Sequence, residues 1–272
     1  MNVADILLLL VAGGITGFLA GFFGVGGGII LVPILLYYFT TSLGISSLVA
    51  THLTFGTSLL IVVFTSLSSA GQYARNGLVV WKAVMLIGAA SVAGAFGGAA
   101  VAAGLKGATL QQLFSAVVVV AAVRLLTETS PSRDNRDLSL SLPGLLSVGV
   151  VAGAVSSLAG VGGGVLSIPM MYYFLNFPLK KALGTSSATI VITALAAMIG
   201  YVVNGWGDPL LVPYRGFTLG YVDWLHALPV IAGTIPMAKV GARTAHRTHV
   251  DRLKRLYAIF LLVIAVRMFF FA

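Results

Sequence analysis

The chain has 272 residues, of which 58% are hydrophobic and 8% charged, with a formal net charge of +9 and no cysteine. Soluble domains carry about 25% charged residues, so this chain cannot build a water-facing shell, and an ordinary cytosolic enzyme is excluded. The missing thiols exclude disulfides, thiolate nucleophiles and cysteine-ligated metals, and no soluble basic module is present to bind nucleic acid.

At roughly 20 apolar residues per crossing, this length accommodates eight to ten membrane segments. Apolar runs cover residues 5–22, 26–39, 46–70, 79–104 and 109–127. A polar stretch from Thr127 to Asp137 follows, and five more runs cover 142–159, 162–176, 182–203, 223–243 and 253–271. No Lys or Arg precedes the first run, so a cleaved signal peptide is not expected. The expected fold is an all-α polytopic membrane protein with two parts, residues 1–127 and 142–272, joined by a linker at 128–141.

The two parts resemble each other. Gly24-Val25-Gly26-Gly27-Gly28, followed by Pro33 and Tyr37, returns 136 positions later as Gly160-Val161-Gly162-Gly163-Gly164, Pro169 and Tyr173. Thr51 aligns with Thr185 at an offset of 134, and Trp81 with Trp224 and Gly98 with Gly241 at 143. The change of offset places an insertion in the stretch Asn204 to Tyr221. Offsets sustained over a whole half point to duplication.

Each part holds an odd number of crossings, whether five full spans or three spans and one re-entrant hairpin, so the second repeat is inverted. The loops then alternate between two sides. One side holds Arg75, Lys82, Arg124, Arg133, Arg136, Lys180, Lys181, Lys239, Arg243, Arg247, Arg252, Lys254 and Arg255, and the other only Lys106, Arg215 and Arg267. Cytoplasmic loops are enriched in Lys and Arg, so the first side, with the linker, is expected in the cytoplasm and both termini outside.

Residues 5–39 as one helix would measure about 52 Å, well beyond a hydrocarbon core of roughly 30 Å. The chain has to break, and the glycine runs are where it can. Unwound backbone in a membrane must be buried in protein or line a polar cavity, and a helix restarting there aims N–H groups and a positive dipole end at it. Inverted repeats with broken helices set such sites near the midplane. The expected anion site is therefore Gly26, Gly27 and Gly28 facing Gly162, Gly163 and Gly164. Thr51, His52, Thr185 and Ser186, in the segments after each break, are candidate polar ligands. Competing roles are interhelical hydrogen bonding for the hydroxyls and packing for His52.

The doubled Gly-Val-Gly-Gly-Gly with its Pro and Tyr, the Thr that follows each copy, and the chain length resemble the TauE/SafE family of sulfite exporter-like permeases. The resemblance covers the whole chain. It implies an inner-membrane transporter of prokaryotes for small sulfur-containing anions such as sulfite or organosulfonates, working without a cofactor. A secondary transporter moving its substrate by alternating access fits, since no Gly-x-x-x-x-Gly-Lys motif is present to bind ATP. The partners would be a small anion, the lipid bilayer and a coupling ion, proton or sodium; the oligomeric state is left open. Two other readings compete. One is a membrane chaperone or assembly factor. The other is an intramembrane hydrolase, in which Gly205-Trp206-Gly207-Asp208 and Asp223 would supply paired carboxylates.

Overall fold

The computed structural model of the chain describes residues 2–102, 119, 122–123, 138–159, 163–214 and 216–270. Gly162, Lys106, Arg124, Arg133, Arg136, Arg215 and most of the predicted segment 109–127 lie outside the described residues. Nine α-helices are found among them: α1 (Val3–Phe23), α2 (Gly28–Tyr37), α3 (Ser47–Arg75), α4 (Trp81–Ala102), α5 (Leu142–Ala159), α6 (Gly164–Phe174), α7 (Leu179–Asn204), α8 (Trp224–Arg247) and α9 (Val250–Phe270). The all-α expectation holds apart from a two-residue hairpin, Thr218–Leu219 against Val222–Asp223, in which Thr218 pairs with Asp223. Among the described residues, four stretches are long and apolar enough to cross a bilayer: Val3–Phe23, Val49–Arg75, Leu179–Asn204 and Trp224–Arg247. This is a multi-pass membrane protein.

Two short helices fold back on their predecessors. α2 has 10 residues and α6 has 11, about 15–16 Å each, half of what a crossing needs. Leu31 and Leu35 of α2 and Phe39 after it share a buried cluster with Leu9 near the start of α1. At the second hairpin, Leu175 following α6 sits against Gly144 near the start of α5, and its carbonyl accepts from the Ser139 N–H at 3.0 Å.

The long helices pack through small residues. Along α1, Gly13, Gly17 and Gly21 meet the backbone of Val230, Thr234 and Ala238 in α8, so the two helices run parallel with glycines every fourth residue between them. Along α5, Gly149 and Gly153 meet the backbone of Ile87 and Ser91 in α4 in the same sense. In lipid, where apolar burial drives little association, this close approach supplies dispersion contact. The two interfaces correspond residue by residue at the offsets 136 and 143 read from the sequence. Gly56 of α3 against Tyr221, and Gly184 of α7 against Leu78, form a further matched pair.

The ends of the bundle differ in charge. The end where α1 begins also holds the 205–223 connection and the start of α8, and Asp5, Asp208 and Asp223 gather there. At the other end, Lys180 donates to the His246 carbonyl at 2.7 Å, and Arg75 and Lys239 line one cleft. Arg247, Arg252 and Arg255 line a second cleft there, of about 830 Å³. Exposed Trp206, Trp224 and Tyr37 mark the acidic end and Trp81 and Phe174 the basic end, as rings do at the two interfaces of a membrane protein.

Candidate substrate site

α1 stops at Gly24, whose φ of 66° closes the helix while its N–H donates to the Ala20 carbonyl at 2.8 Å. The last carbonyls of such a helix need donors from elsewhere. Tyr73 of α3 supplies one, its hydroxyl 2.9 Å from the Gly21 carbonyl and 3.3 Å from that of Phe22. Ser186 of α7 supplies another, donating to the Gly24 carbonyl at 3.0 Å, with Ser167 of α6 3.1 Å from Ser186. The carbonyls of Gly21, Phe22 and Gly24 are thus satisfied by protein.

The donors are not. Gly27 (φ 90°) precedes α2 and Gly163 (φ 76°) precedes α6, a left-handed conformation that only glycine adopts freely, and neither helix has a side-chain cap. Gly26, Gly27 and Gly28 are buried, and among the described residues their N–H groups have no acceptor. Buried N–H groups are nearly always paired, and each one left unpaired costs about 1–3 kcal/mol. Beside them, 3.2 Å from where a Cβ on Gly26 would stand, is the Ser66 hydroxyl, fully buried and also without a partner.

The two breaks touch. A Cβ on Gly164 would stand 2.9 Å from Val25 Cα and 3.2 Å from the Gly24 carbonyl oxygen. Ile190 of α7 reaches both breaks, and Val62 of α3 meets Gly26. Val62 and Ile190 are central in α3 and α7, so the contact lies about halfway along those helices. Val25, Val62 and Ile190 thus stand at the contact between the breaks.

The structure therefore brings together Gly26, Gly27, Gly28, Gly163, Gly164 and Ser186. Thr185 is buried next to them, but its hydroxyl accepts from the Val80 N–H at 3.1 Å. Thr51 and His52 do not reach the breaks. Thr51 precedes Val62 by eleven residues on the same helix, about 16 Å. His52 is exposed at the acidic end, its ring 5.0 Å from that of Tyr221. The residue that matches Thr185 is Thr57, which accepts from the Asp223 N–H at 2.9 Å as Thr185 does from Val80. The signal was in the sequence: Gly56-Thr57-Ser58 recurs as Gly184-Thr185-Ser186. Eight extra residues between Tyr37 and Thr57 in the first half hid the match, so the single insertion at 204–221 is replaced by two changes of opposite sign. Ser66, Ser167 and Tyr73 carried no such signal.

The carboxylates do not form a dyad. Asp208 accepts a short hydrogen bond from the Tyr221 hydroxyl and another from the Leu210 N–H at 2.8 Å. These two donors hold it below the usual carboxylate range, and the same contact pushes Tyr221 up to about 12. Asp223 instead faces His226, with Nδ1 2.5 Å from its Oδ2.

The family model for the sulfite exporter TauE/SafE matches residues 9–268, nearly the whole chain. The chain belongs to the TauE/SafE family. A probable membrane transporter protein of Haemophilus influenzae is 32% identical over 97% of this chain and 98% of its own length. Counterparts named in the same way come from Methanocaldococcus jannaschii (29% identical, 87% of this chain and 85% of the relative) and from Bacillus subtilis (25%, 97% of each). No solved structure matches. TauE/SafE membership makes the chain a membrane transporter and not an enzyme, with a small substrate and the bilayer as its partners.

Proposed function

We propose that the chain is a secondary transporter, acting as an exporter, of small sulfur-containing anions such as sulfite or organosulfonates. The observation that carries this reading is the row of buried N–H groups at Gly26, Gly27 and Gly28 that find no acceptor among the described residues, beside the unpaired Ser66 hydroxyl and against the second glycine break. An oxyanion accepts from several such donors at once, and the start of a helix adds favourable potential. The ligands would be these glycines with Gly162, Gly163 and Gly164, with Ser66 and Ser186 nearer than Thr51 or His52.

The matched contacts support a reading of alternating access. We read residues 1–127 and 142–272 as inverted repeats joined by a cytoplasmic linker at 128–141, with eight to ten membrane segments and the α1–α2 and α5–α6 units as re-entrant pairs. Rocking one repeat against the other would part Val25, Val62 and Ile190 and admit the anion first from one side and then from the other. The cationic end faces the cytoplasm of a prokaryotic inner membrane by the positive-inside rule, leaving both termini outside, and a proton or sodium gradient drives the cycle.

Purified protein in liposomes should take up sulfite or an alkyl sulfonate, and Gly27→Leu or Gly163→Leu should abolish uptake. Transport unaltered in both variants would remove the glycine breaks from the mechanism.

A further inference from the structure

We infer that Asp223 and His226 are the proton-binding site that couples transport to a pH gradient. This rests on the transporter reading above and assigns its coupling ion. Asp223 is fully buried and His226 is 4% exposed. The pair sits at the head of α8, where Asp223 caps the helix by accepting from the His226 N–H at 2.9 Å and meets the imidazole Nδ1 at 2.5 Å. Tyr38, Phe39 and Phe217 surround the ring, with centroids 5.5, 6.1 and 5.5 Å away.

The matched half of the molecule shows that the fold does not need these groups. At the head of α4 the corresponding residues are Val80 and Ala83. There the same backbone contact, an N–H to a threonine hydroxyl, is made without a carboxylate or an imidazole. Burying an ionisable pair is costly, and the matched half of the fold does without one, which points to a role for this pair beyond architecture. Capping alone would need only the aspartate.

The chemistry is a single proton transfer. With Nδ1–H donating to the Asp223 carboxylate, a proton arriving at the other ring nitrogen, Nε2, converts the pair from net −1 to neutral, and its departure reverses this; no other bond changes. The titratable groups on the surrounding elements are Asp5 of α1, Tyr38 after α2, His52 of α3, Tyr201 of α7, and Asp208 and Tyr221 of the connection before α8.

Two connections carry the change to the substrate site. α8 runs through Val230, Thr234 and Ala238 along Gly13, Gly17 and Gly21 of α1, which leads to the first break. Thr57, bonded to Asp223, lies on α3 with Val62 and Ser66.

The test uses full-length protein in liposomes with ethanesulfonate, a strong acid that carries no proton of its own. Wild type should accumulate the sulfonate by about tenfold per pH unit of imposed gradient, the ratio a one-proton couple sustains. Asp223→Asn, which keeps the cap, and His226→Gln should let the gradient-driven ratio fall to about one while sulfonate–sulfonate counterflow at equal pH continues. Accumulation unchanged in both variants would overturn the assignment, as would loss of counterflow together with accumulation, which would make the pair structural. Wild-type counterflow without pH-driven accumulation would refute proton coupling and leave the transporter reading standing. Wild type inert toward both sulfite and ethanesulfonate would sink the transporter reading itself.

Discussion

The contact between the two breaks can be tested by adding one methyl group. A Cβ on Gly164 would stand 2.7 Å from Ile190 Cδ1 and 2.9 Å from Val25 Cα, against an ordinary carbon–carbon separation of about 3.5–4.0 Å. The Ile190 methyl is the end of a side chain and can turn away; Val25 Cα is backbone inside the break and cannot move alone. Overpacking of this kind costs about 1–3 kcal/mol, so Gly164→Ala should lower the melting temperature in detergent by several degrees. Ile190→Val removes the clashing Cδ1 and on its own should cost about 0.5–1.5 kcal/mol. In the double variant the new methyl occupies the space Cδ1 has left, so the two losses should not add, with a coupling of about 1 kcal/mol in favour of the pair. Thermal melts of the four proteins complete the cycle. Strictly additive losses, or a Gly164→Ala variant as stable as wild type, would show that Gly164, Ile190 and Val25 are not packed together as described.

Three further outcomes follow from the same geometry. Gly17→Ala would set a Cβ 2.5 Å from the Thr234 carbonyl oxygen and 2.6 Å from its Cα; it should destabilise by about 1–3 kcal/mol, and Gly153→Ala, which meets Ser91, should do the same, both read as lower melting temperatures. Thr185→Val leaves the Val80 N–H without its acceptor and should cost about 1–3 kcal/mol, read in the same melt. The Asp208–Tyr221 contact has a pH window. Asp208 is held low, so its contribution is present above the ordinary carboxylate pKa and lost as pH falls through its own, lower value; Tyr221 is held high, so its contribution is present below about 10 and lost as pH rises through about 12. Amide exchange of residues 205–221 should therefore speed up in acid in wild type and be fast at neutral pH in Asp208→Asn, while liposome uptake by that variant is unchanged.

The places where expectation and structure part have identifiable causes. The glycine runs were legible because a long apolar stretch has to break and only glycine does so cheaply; their meeting in space was inferred from the duplication alone. Thr51 pairs with Thr185 by type and rough spacing, but eight extra residues between Tyr37 and Thr57 shift the matching residue to Thr57. His52 drew notice as an ionisable residue in an apolar run, yet it sits in the first turns of α3 and faces outward. His226, the buried histidine, looked unremarkable because nothing local tells a head-of-helix Asp-x-x-His that is solvated from one enclosed by Tyr38, Phe39 and Phe217.

Composition and hydropathy by themselves determined that this chain lives in a bilayer, because 8% charged residues cannot clothe a soluble surface. The same letters carried the doubled glycine motif and the need for two breaks, since both are patterns along one dimension. Only the tertiary structure decided which hydroxyls are consumed by backbone partners and which, like Ser66, stay unpaired beside open N–H donors. That distinction depends on distances of about an ångström between residues far apart in the chain, and no spacing rule carries it.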